Sequence, residues 1–310
     1  MYSQDSGIDI SIIIVNYNTQ ELTAACIRSV YREEKENRFE VILVDNCSDS
    51  FDSNFFETAF PGIKLILNTV NAGFSRAVNQ GLELSVGRYI LLLNSDTEFV
   101  NDAASRAMKR MEAGTNIGVL SSMLLNPDGS LQHPAGRFPA LRAEFMELFR
   151  ITRKFSKEER ALFYLGNEFD HLGEVFCDWV WGTFFFFSRR VLEELGNTLP
   201  DRFFMYGEDI DWCWKIGRAG YRILYYPEAK VIHKEGSSLH FNDESVKYFT
   251  RKFPNTYLAV QMNKGAVYTW SLYFVKALHL MTLRRKADHR KAWQMLRFLF
   301  GRKNYWLNTR

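Results

Sequence analysis

Four apolar runs, each rich in branched side chains and each followed by polar residues, constrain the fold of this chain more than any other feature. They span residues 11–15, 41–44, 63–67 and 89–93. Such runs are typical of strands that are buried on both faces of a parallel sheet. Helical spacing after the first and third runs predicts helices over residues 19–31 and 74–84, the first capped by Thr19. The alternation therefore predicts an α/β fold built on a right-handed parallel sheet.

The polar residues that follow these runs predict which edge of the sheet binds ligands. They lie at positions 16–18, 45–49, 71–76 and 94–96. Parallel α/β sheets bind ligands beyond the carboxyl ends of their strands. No Gly-x-Gly-x-x-Gly motif follows the first strand and the sequence has no P-loop motif, which disfavours dinucleotide dehydrogenases and P-loop kinases. A nucleotide at this edge would therefore be held by side chains and a metal ion.

An acidic stretch inside an aromatic segment, residues 203–214, is the second strong feature. Glu208, Asp209 and Asp211 lie within four positions, and Gly207 before them suits a turn that opens a helix. Acids in a first helical turn also complement the helix dipole, which is a purely structural explanation. Charged side chains in apolar surroundings are nevertheless rare unless they are paired, bind a metal or take part in chemistry. The cluster therefore favours a functional site.

The remaining patterns are weaker. Residues 101–113 predict a helix, residues 126–129 a hairpin turn, and residues 184–187, four consecutive phenylalanines, a strand buried on both faces. His133 lies in a predicted loop, where a lone histidine is more often solvated, and it receives no role. Other short strands are expected at residues 117–120, 123–125, 175–180, 183–187, 221–226 and 230–232, the last two separated by a turn at Pro227-Glu228.

The cysteines and the amino terminus indicate a cytosolic protein. Cys26, Cys47, Cys177 and Cys213 are scattered without a Cys-x-x-Cys pair, which favours reduced thiols over a disulfide framework or a zinc knuckle. Residues 1–9 are short and polar, so no signal peptide is expected.

The segment after Pro254 is strongly basic. It carries eleven lysines and arginines and a single acid, Asp288, while the whole chain has a net charge of only +3. Helices are expected at residues 242–262 and 265–283, followed by basic and aromatic residues in alternation. That pattern predicts interfacial helices on an anionic membrane, peripheral on the inner face of the plasma membrane. A helical cap or a homodimer contact remains a close alternative, and nucleic acid is not expected.

Five motifs, at residues 13–18, 44–49, 71–81, 92–97 and 203–214 with His233 after them, occur in the order of a known family. The chain resembles family 2 glycosyltransferases of the GT-A fold, and most closely the bacterial rhamnosyltransferase-like branch that builds surface polysaccharides. The resemblance implies a Rossmann-like α/β fold: a mixed, mainly parallel sheet flanked by helices. It implies a catalytic domain over residues 1–240, with a nucleotide-binding half (1–100) and an acceptor half (101–240). Residues 241–310 would be a C-terminal helical extension, the basic amphipathic tail.

The resemblance also implies a nucleotide-diphosphate sugar donor, dTDP-rhamnose or a UDP-sugar being candidates, and a divalent cation, Mn²⁺ or Mg²⁺. Asp45 would hydrogen-bond the base against Tyr17, and Asp96 with His233 would hold the metal. A strand-end histidine is also commonly just hydrogen-bonded. Asn94 stands where the family's metal motif has its first carboxylate. The implied donor-binding residues are Asn16, Tyr17, Asn18, Asp45, Asn71, Gly73, Arg76, Asn94 and Asp96.

For catalysis the resemblance implies inversion at the anomeric carbon, with Asp209 as general base and Glu208 beside it. Desolvation by neighbouring aromatics would raise the pKa of such a base; these are Phe204, Tyr206, Trp212 and Trp214. The acceptor, a glycan or a lipid-linked glycan, would contact Trp181, Gly182, Tyr206 and Asp211. Two alternatives remain open: a sugar nucleotidyltransferase, disfavoured because it lacks a basic glycine-rich loop, and a catalytically degenerate nucleotide-sugar-binding protein.

Overall fold

The computed structural model describes residues 7–234 and 244–301, and for residues 244–251 it describes the backbone alone. The strands in this part of the chain are Ile10–Asn16 (β1), Phe39–Asp45 (β2), Lys64–Leu67 (β3), Tyr89–Asn94 (β4), Thr97–Phe99 (β5), Ile117–Leu125 (β6), Ala135–Gly136 (β7), Val175–Cys177 (β8), Trp179–Val180 (β9), Phe184–Ser188 (β10) and Arg222–His233 (β11). The α-helices are Gln20–Glu33 (α1), Ser53–Ala59 (α2), Phe74–Leu84 (α3), Ala103–Ala113 (α4), Leu141–Leu148 (α5), Lys157–Tyr164 (α6), Arg189–Glu194 (α7), Glu208–Arg218 (α8), Glu244–Lys264 (α9), Ala266–Met281 (α10) and Lys286–Phe300 (α11).

The central sheet is mixed, as predicted, and it aligns the polar ends of its first strands. Its strands lie in the order β3-β2-β1-β4-β10-β6-β11-β5, with β8 pairing beside β11. β3, β2, β1 and β4 run parallel, while β10 is antiparallel to both β4 and β6. Asn16 is in register with Asp45, and Val15 is in register with Asn94. The residues that follow β1, β2 and β4 therefore meet at one edge.

The four phenylalanines of β10 form the middle of the core. All four, Phe184 to Phe187, have no exposed surface, which confirms the prediction of a strand buried on both faces. Even-numbered and odd-numbered residues of a strand point to opposite faces. The sheet therefore packs apolar side chains on both sides, as expected of a sheet flanked by helices.

Two segments, each predicted as two short strands, form one continuous strand each in the structure. Strand β6 continues through Ser121 and Ser122, which are buried and pair with Tyr225 and Tyr226 of β11. Strand β11 continues through Pro227, because its pairing with β6 shifts register between Tyr226 and Lys230, and a proline is tolerated at such an irregularity. The predicted turn at residues 126–129 is confirmed by the bond from the Gly129 amide to the Asn126 carbonyl, 2.9 Å.

The chain forms two compact units. One comprises residues 1–136 and 170–240, and the other comprises residues 137–169 and 241–310. The boundary expected at residue 240 assigns residues 137–169 to the catalytic domain, whereas in the structure they pack with the C-terminal helices. Contacts of α10 with α5 account for this grouping.

The second unit contains α5, α6 and the C-terminal helices α9, α10 and α11. The last three confirm that the tail is helical, although Arg302, Lys303 and Arg310 of the basic segment lie outside the described residues. Among the helices that the structure describes, none has both the length and the hydrophobicity needed to cross a bilayer.

Candidate active site

The loops after β1 and β2 are tied together by Asn16. Its side-chain amide donates to Asp45 Oδ1 at 2.6 Å and to Ser48 Oγ at 3.0 Å. Its oxygen accepts from the hydroxyls of Thr19 and Thr23, at 3.0 and 2.7 Å. Asn16 is fully buried, so all four of its hydrogen-bonding positions are used within the protein. It therefore fixes the position of the Asp45 carboxylate.

Asp45 lies at the centre of the loop that follows β2. It is 4% exposed and also accepts from the Ser48 amide, at 3.0 Å to Oδ2. Asn18 joins the same loop, because its backbone amide donates to Ser48 Oγ at 2.8 Å and its side chain bonds Asp49. Tyr17 is 47% exposed beside these residues. The arrangement places an exposed ring next to a carboxylate whose position is fixed.

A second layer of amides holds the loop that follows β3. Asn46 donates to Asn71 Oδ1 at 2.9 Å and accepts from the Ala72 amide at 2.9 Å and from Asn68 at 3.0 Å. Asn68 and Gln80 exchange a reciprocal pair of bonds. Sequence analysis assigned Asn71 but missed Asn46 as its support. The available signal was the recurrence of asparagine directly after consecutive strands.

The loop at Gly73 connects this edge to the segment that leads into α8. The Phe74 amide donates to the Phe204 carbonyl at 2.7 Å. Gly73 has φ +85°, and a Cβ on it would lie 2.8 Å from that same carbonyl oxygen. Only glycine allows this approach without a shift of backbone. Arg76, on the first turn of α3, forms an exposed pair with Asp201 at 3.2 Å.

Asp96 and His233 meet at the end of the sheet. His233 Nε2 lies 3.4 Å from Asp96 Oδ1, and the two residues are only 5% and 6% exposed. The backbone supports the contact, because the Lys234 amide donates to the Asp96 carbonyl at 2.9 Å. The structure thus brings together two residues that the sequence assigns to one metal. Trp181 packs edge-on to the His233 ring, with 6.4 Å between centroids.

Gln132, which sequence analysis did not single out, fixes the orientation of His233. Its side-chain nitrogen donates to the His233 carbonyl at 3.0 Å and to Asn126 Oδ1 at 2.7 Å. Since a backbone carbonyl can only accept, the amide oxygen of Gln132 is the atom that faces His233 Nδ1, at 2.8 Å. Nδ1 therefore carries the proton. In the neutral ring this leaves the lone pair of Nε2 directed to the side of Asp96.

These residues fit a divalent cation that completes its shell with ligands from outside the protein. Neighbouring ligands of an octahedral Mg²⁺ ion lie roughly 3 Å apart, which is close to the separation of Asp96 and His233. Within the described residues no group of three or more His, Cys, Asp or Glu side chains could hold a metal ion. Asn94 directs its side-chain amide to Thr183 Oγ1 at 3.4 Å. Among the described residues, Asp96 and His233 would supply one oxygen and one nitrogen ligand.

The predicted acidic helix is α8, and its start is set by the backbone. Tyr206 and Gly207 are both left-handed, with φ +66° and +91°. Such a conformation costs a non-glycine residue free energy and is found at functional sites. Of the three acids, Glu208 and Asp211 are buried, whereas Asp209 is half-buried. Asp209 also lies opposite Gly182, where an added Cβ would be 3.9 Å from the Asp209 Cβ.

The aromatic surroundings of the acids differ in part from the prediction. Trp212 is fully buried, stacks on Phe74 and donates its indole N–H to the Pro200 carbonyl at 2.8 Å. It anchors α8 to the sheet. Phe204 is 45% exposed, so it does not enclose the carboxylates as expected.

Two thiols lie near these groups, and burial makes both of them poor nucleophiles. Burial raises the pKa of Cys26 to about 12, and Cys26 contacts the Asn94 carbonyl and Thr97. Burial likewise raises the pKa of Cys213 well above its ordinary value, and the charge of Asp209 adds to this. All four cysteines are free thiols. Their roles in this region are in packing.

His133 is not the solvated histidine that the sequence predicts. Its Nδ1 lies 3.3 Å from Nδ1 of His171, which is fully buried and whose carbonyl accepts from the Tyr225 hydroxyl at 2.8 Å. Burial lowers the pKa of His133. One of the two facing nitrogens must therefore accept the proton of the other, and the pair packs the loop before β7 against β11.

The family model of glycosyl transferase family 2 matches residues 11–196, which contain the loops after β1, β2, β3 and β4. The chain belongs to glycosyl transferase family 2. It is therefore a glycosyltransferase. This family 2 enzyme is 25% identical over 299 residues to the low-salt glycan biosynthesis hexosyltransferase Agl10 of Haloferax volcanii, covering 95% of this chain and 86% of the relative. It is 23% identical to the N-acetylglucosaminyl-diphospho-decaprenol L-rhamnosyltransferase of Mycobacterium tuberculosis, covering 66% of this chain and 69% of the relative.

Solved structures agree on the GT-A fold. The mannosyltransferase PcManGT of Pyrobaculum calidifontis, in complex with GDP-Man and Mn²⁺, aligns with a TM-score of 0.56 at 15% identity, over 94% of this chain and 76% of that one. GalNAc-T7 with UDP, GalNAc and Mn²⁺ aligns with a TM-score of 0.58 at 15% identity, over 88% of this chain and 51% of that one. At such identities the likeness concerns the fold alone.

Proposed function

We propose that this family 2 glycosyltransferase transfers a sugar from a nucleotide-diphosphate donor to a hydroxyl of a glycan or lipid-linked acceptor, with inversion and with a divalent cation. The observation that carries the proposal is the buried pair of Asp96 and His233, oriented by Gln132 at the carboxyl edge of the sheet. Two relatives, a rhamnosyltransferase and a hexosyltransferase of glycan biosynthesis, support a role in polysaccharide or glycan biosynthesis.

The donor would lie along the ends of β1, β2 and β4. Asp45 would accept from the base and the exposed ring of Tyr17 would cover it. Backbone and side chains near Asn71 and Gly73 would border the diphosphate, with Arg76 supplying a positive charge. Asn16 and Asn46 hold these groups in place without requiring contact with the donor.

Asp96 and His233 would hold the cation, which when bound neutralises charge on the leaving diphosphate. An oxygen and an imidazole ligand together are compatible with Mn²⁺ or Mg²⁺, and the imidazole leans toward Mn²⁺. Gln132 acts as a positioning residue, because it keeps the proton on Nδ1 and leaves Nε2 available as a ligand. Such partners of metal-binding histidines commonly change metal affinity when they are replaced.

Asp209 would remove the proton of the acceptor hydroxyl. As that oxygen bonds to the anomeric carbon, the bond from the anomeric carbon to the diphosphate oxygen breaks, and the proton passes to the Asp209 carboxylate. Its half-buried position at the start of α8 is suitable, since an acceptor can reach it. Glu208 would orient the acceptor, which Trp181, Gly182, Tyr206 and Asp211 would contact.

The test is a thermal-shift panel of UDP-, dTDP- and GDP-sugars, each with Mn²⁺, Mg²⁺ or EDTA. A ligand that binds the folded state raises the melting temperature according to its saturation. We expect cation-dependent stabilisation by one nucleotide class. Failure of every nucleotide to shift the melting temperature would contradict the proposed donor site. Binding without turnover on any glycan or lipid-linked acceptor would instead favour a degenerate binding protein.

A further inference from the structure

Helix α10 presents an apolar stripe to solvent, in addition to the apolar residues that it buries. Its outward residues recur every three or four positions, and among them Val267 is 83% exposed and Trp270 and Leu278 are each 36% exposed. Phe274 and Met281, on the same stripe, are half-buried. This stripe carries no charge. A helix on the surface of a globular domain normally presents its polar side outward, so the orientation of α10 requires an explanation.

The charged residues of α10 lie on its inner side. Lys276 pairs with Glu144 of α5, with 2.9 Å from Nζ to Oε1, and His279 lies 3.9 Å from Glu147 of the same helix. The same side of α10 buries Leu272, Tyr273 and Ala277. The outward position of the apolar stripe is therefore consistent with both the polar and the apolar packing of the opposite side.

Helix α11 presents a different exposed stripe, in which cations and aromatic rings alternate. Its members are separated by three or four residues: Lys286, Arg290, Trp293, Arg297 and Phe300. Trp293 is 60% exposed and Phe300 is 64% exposed. No acid occurs in this stripe. Alternation of basic and aromatic residues along one face is typical of helices that lie in a membrane interface.

The two stripes adjoin at one end of the helical pair. Phe300 contacts Trp270 and Phe274 of α10, with 5.6 and 6.3 Å between ring centroids. Beside them an open cleft of about 310 Å³ is lined by Tyr257, Ala266, Val267 and Trp270. The apolar and basic stripes therefore form one continuous surface, here called the hairpin surface.

Two further cations, Arg284 and Arg285, adjoin the hairpin surface at the turn between α10 and α11. With Lys286 they are exposed at the N-terminus of α11, where the helix dipole disfavours positive charge and Asp288 is the acid of the first turn. Within the described part of the chain, none of these cations, nor Arg290 or Arg297, forms an ion pair with a carboxylate. An anionic partner would offset this unfavourable charge.

We infer that the hairpin surface docks the enzyme on a bilayer that contains anionic lipid. The apolar stripe and the exposed rings would enter the headgroup boundary, and the cations would contact lipid phosphates. A second copy of the chain fits less well, because a symmetric contact would bring the same cations together. The inference does not depend on the proposed donor chemistry, since it concerns α10 and α11 alone.

The experiment is co-sedimentation of the full chain with phosphatidylcholine vesicles, with and without phosphatidylglycerol. We expect binding only when phosphatidylglycerol is present, and binding that decreases with salt. The triple variant R284Q/R285Q/R290Q should weaken binding on the order of a hundredfold. The matched triple R153Q/K154Q/K157Q removes three exposed cations elsewhere in the same unit and should leave binding unchanged. Trp293→Ser should weaken binding without altering the melting temperature, because Trp293 is largely exposed.

Three results would overturn the inference. Equal losses in the two triple variants would mean that net charge, and not this surface, attracts the vesicle. A dimer in light scattering that Trp293→Ser dissociates, without vesicle binding, would assign the surface to a second copy. Stabilisation by inorganic phosphate at constant ionic strength, without vesicle binding, would assign the cations to a soluble anion. Nucleotide-sugar binding is measured by thermal shift on the same samples. If that binding is retained, none of the three results can be attributed to failure of the donor site.

Discussion

The loops after β1 and β2 are fixed by side-chain amides, whereas the start of α8 is fixed by the backbone. In the first region the side chains of Asn16 and Asn46 take part in seven hydrogen bonds, with distances from 2.6 to 3.0 Å. In the second, two successive left-handed residues, Tyr206 and Gly207, set the direction of the helix. The two regions touch through the bond from the Phe74 amide to the Phe204 carbonyl.

The difference indicates how each region tolerates change. A buried amide network loses stability when any member is removed, because its partners stay buried. A backbone-defined helix start leaves its side chains available for chemistry, so an acid there can be replaced without loss of fold. Changes in the amide network should therefore affect stability and donor binding together, whereas changes of the acids of α8 should affect turnover alone.

Asp209→Asn should separate an effect on turnover from effects on stability and donor binding more clearly than any other variant. Loss of a general base should reduce kcat by about 10²- to 10⁴-fold. The melting temperature and the cation-dependent shift with donor should change little, because Asp209 is only half-buried and the side-chain oxygen of asparagine can still accept from the adjacent Ile210 amide. Steady-state kinetics and thermal shift on the same preparation measure both.

Glu208→Gln is the companion variant. We expect a raised KM for acceptor with a smaller loss of kcat, since Glu208 is proposed to orient the acceptor. A larger fall in kcat for Glu208→Gln than for Asp209→Asn would reverse the two assignments.

Gln132→Met tests the metal side of the site. It removes the acceptor for the proton on His233 Nδ1, so the ring can rotate or change tautomer. We expect Mn²⁺ affinity, measured by electron paramagnetic resonance without acceptor, to fall about 10- to 100-fold. Nitrogen-15 NMR of His233 in the metal-free protein should show loss of the Nδ1–H form.

Gln132→Glu separates the two roles of this side chain, because a carboxylate still accepts from Nδ1–H but can no longer donate to the His233 carbonyl or to Asn126 Oδ1. It should retain the tautomer but lower the melting temperature. If Gln132→Met lost stability but kept both the tautomer and the affinity, Gln132 would be a packing residue only.

The role of Gln132 also shows what the sequence could not predict. Asp96 follows a strand whose apolar pattern is clear, so its position at the ligand edge was predictable, whereas its pairing with His233 was implied by the resemblance to the family. Gln132 lies 101 positions before His233, in a loop whose sequence shows no periodic pattern. No local pattern therefore indicates that the two side chains bond. Similarly, the continuity of β11 through Pro227 depends on a register shift against β6, which exists only after the strands pair.

The rotation of helix α10 is another property that the sequence could not predict. The sequence gives α10 as an apolar helix with Lys276 and His279 in it, but it does not say which side faces the protein. In the structure the side with Lys276, which pairs with Glu144, and the buried Leu272 and Tyr273 faces the protein. Helix existence was therefore predictable from composition and spacing, whereas its rotation depended on residues more than a hundred positions earlier.

Asn46→Ala should disturb the donor side with a smaller effect. It removes the acceptor of the bonds from Asn68 and from the Ala72 amide, and since both residues are half-buried the loss should cost about 1 kcal/mol. We expect a lower melting temperature and weaker stabilisation by donor. Asn37→Ala is the matched control, since Asn37 makes one bond, to Ser105 at 2.8 Å, away from the site. Equal loss of donor binding in both variants would show that Asn46 has no special role.

The smallest effect should come from glycines at the two ends of α8. Gly207→Ala places a side chain at φ +91° and should destabilise the fold by about 1 kcal/mol. Because it also shifts the start of α8, kcat should fall more than donor affinity. Gly217→Ala, in the same helix with open space around the new Cβ, should instead stabilise by about 0.4–1 kcal/mol and leave kcat unchanged. Denaturant unfolding measures the two shifts. If Gly207→Ala lost stability but retained kcat, the backbone at Tyr206 and Gly207 would serve folding alone, and the proposed contrast between the two regions would fail.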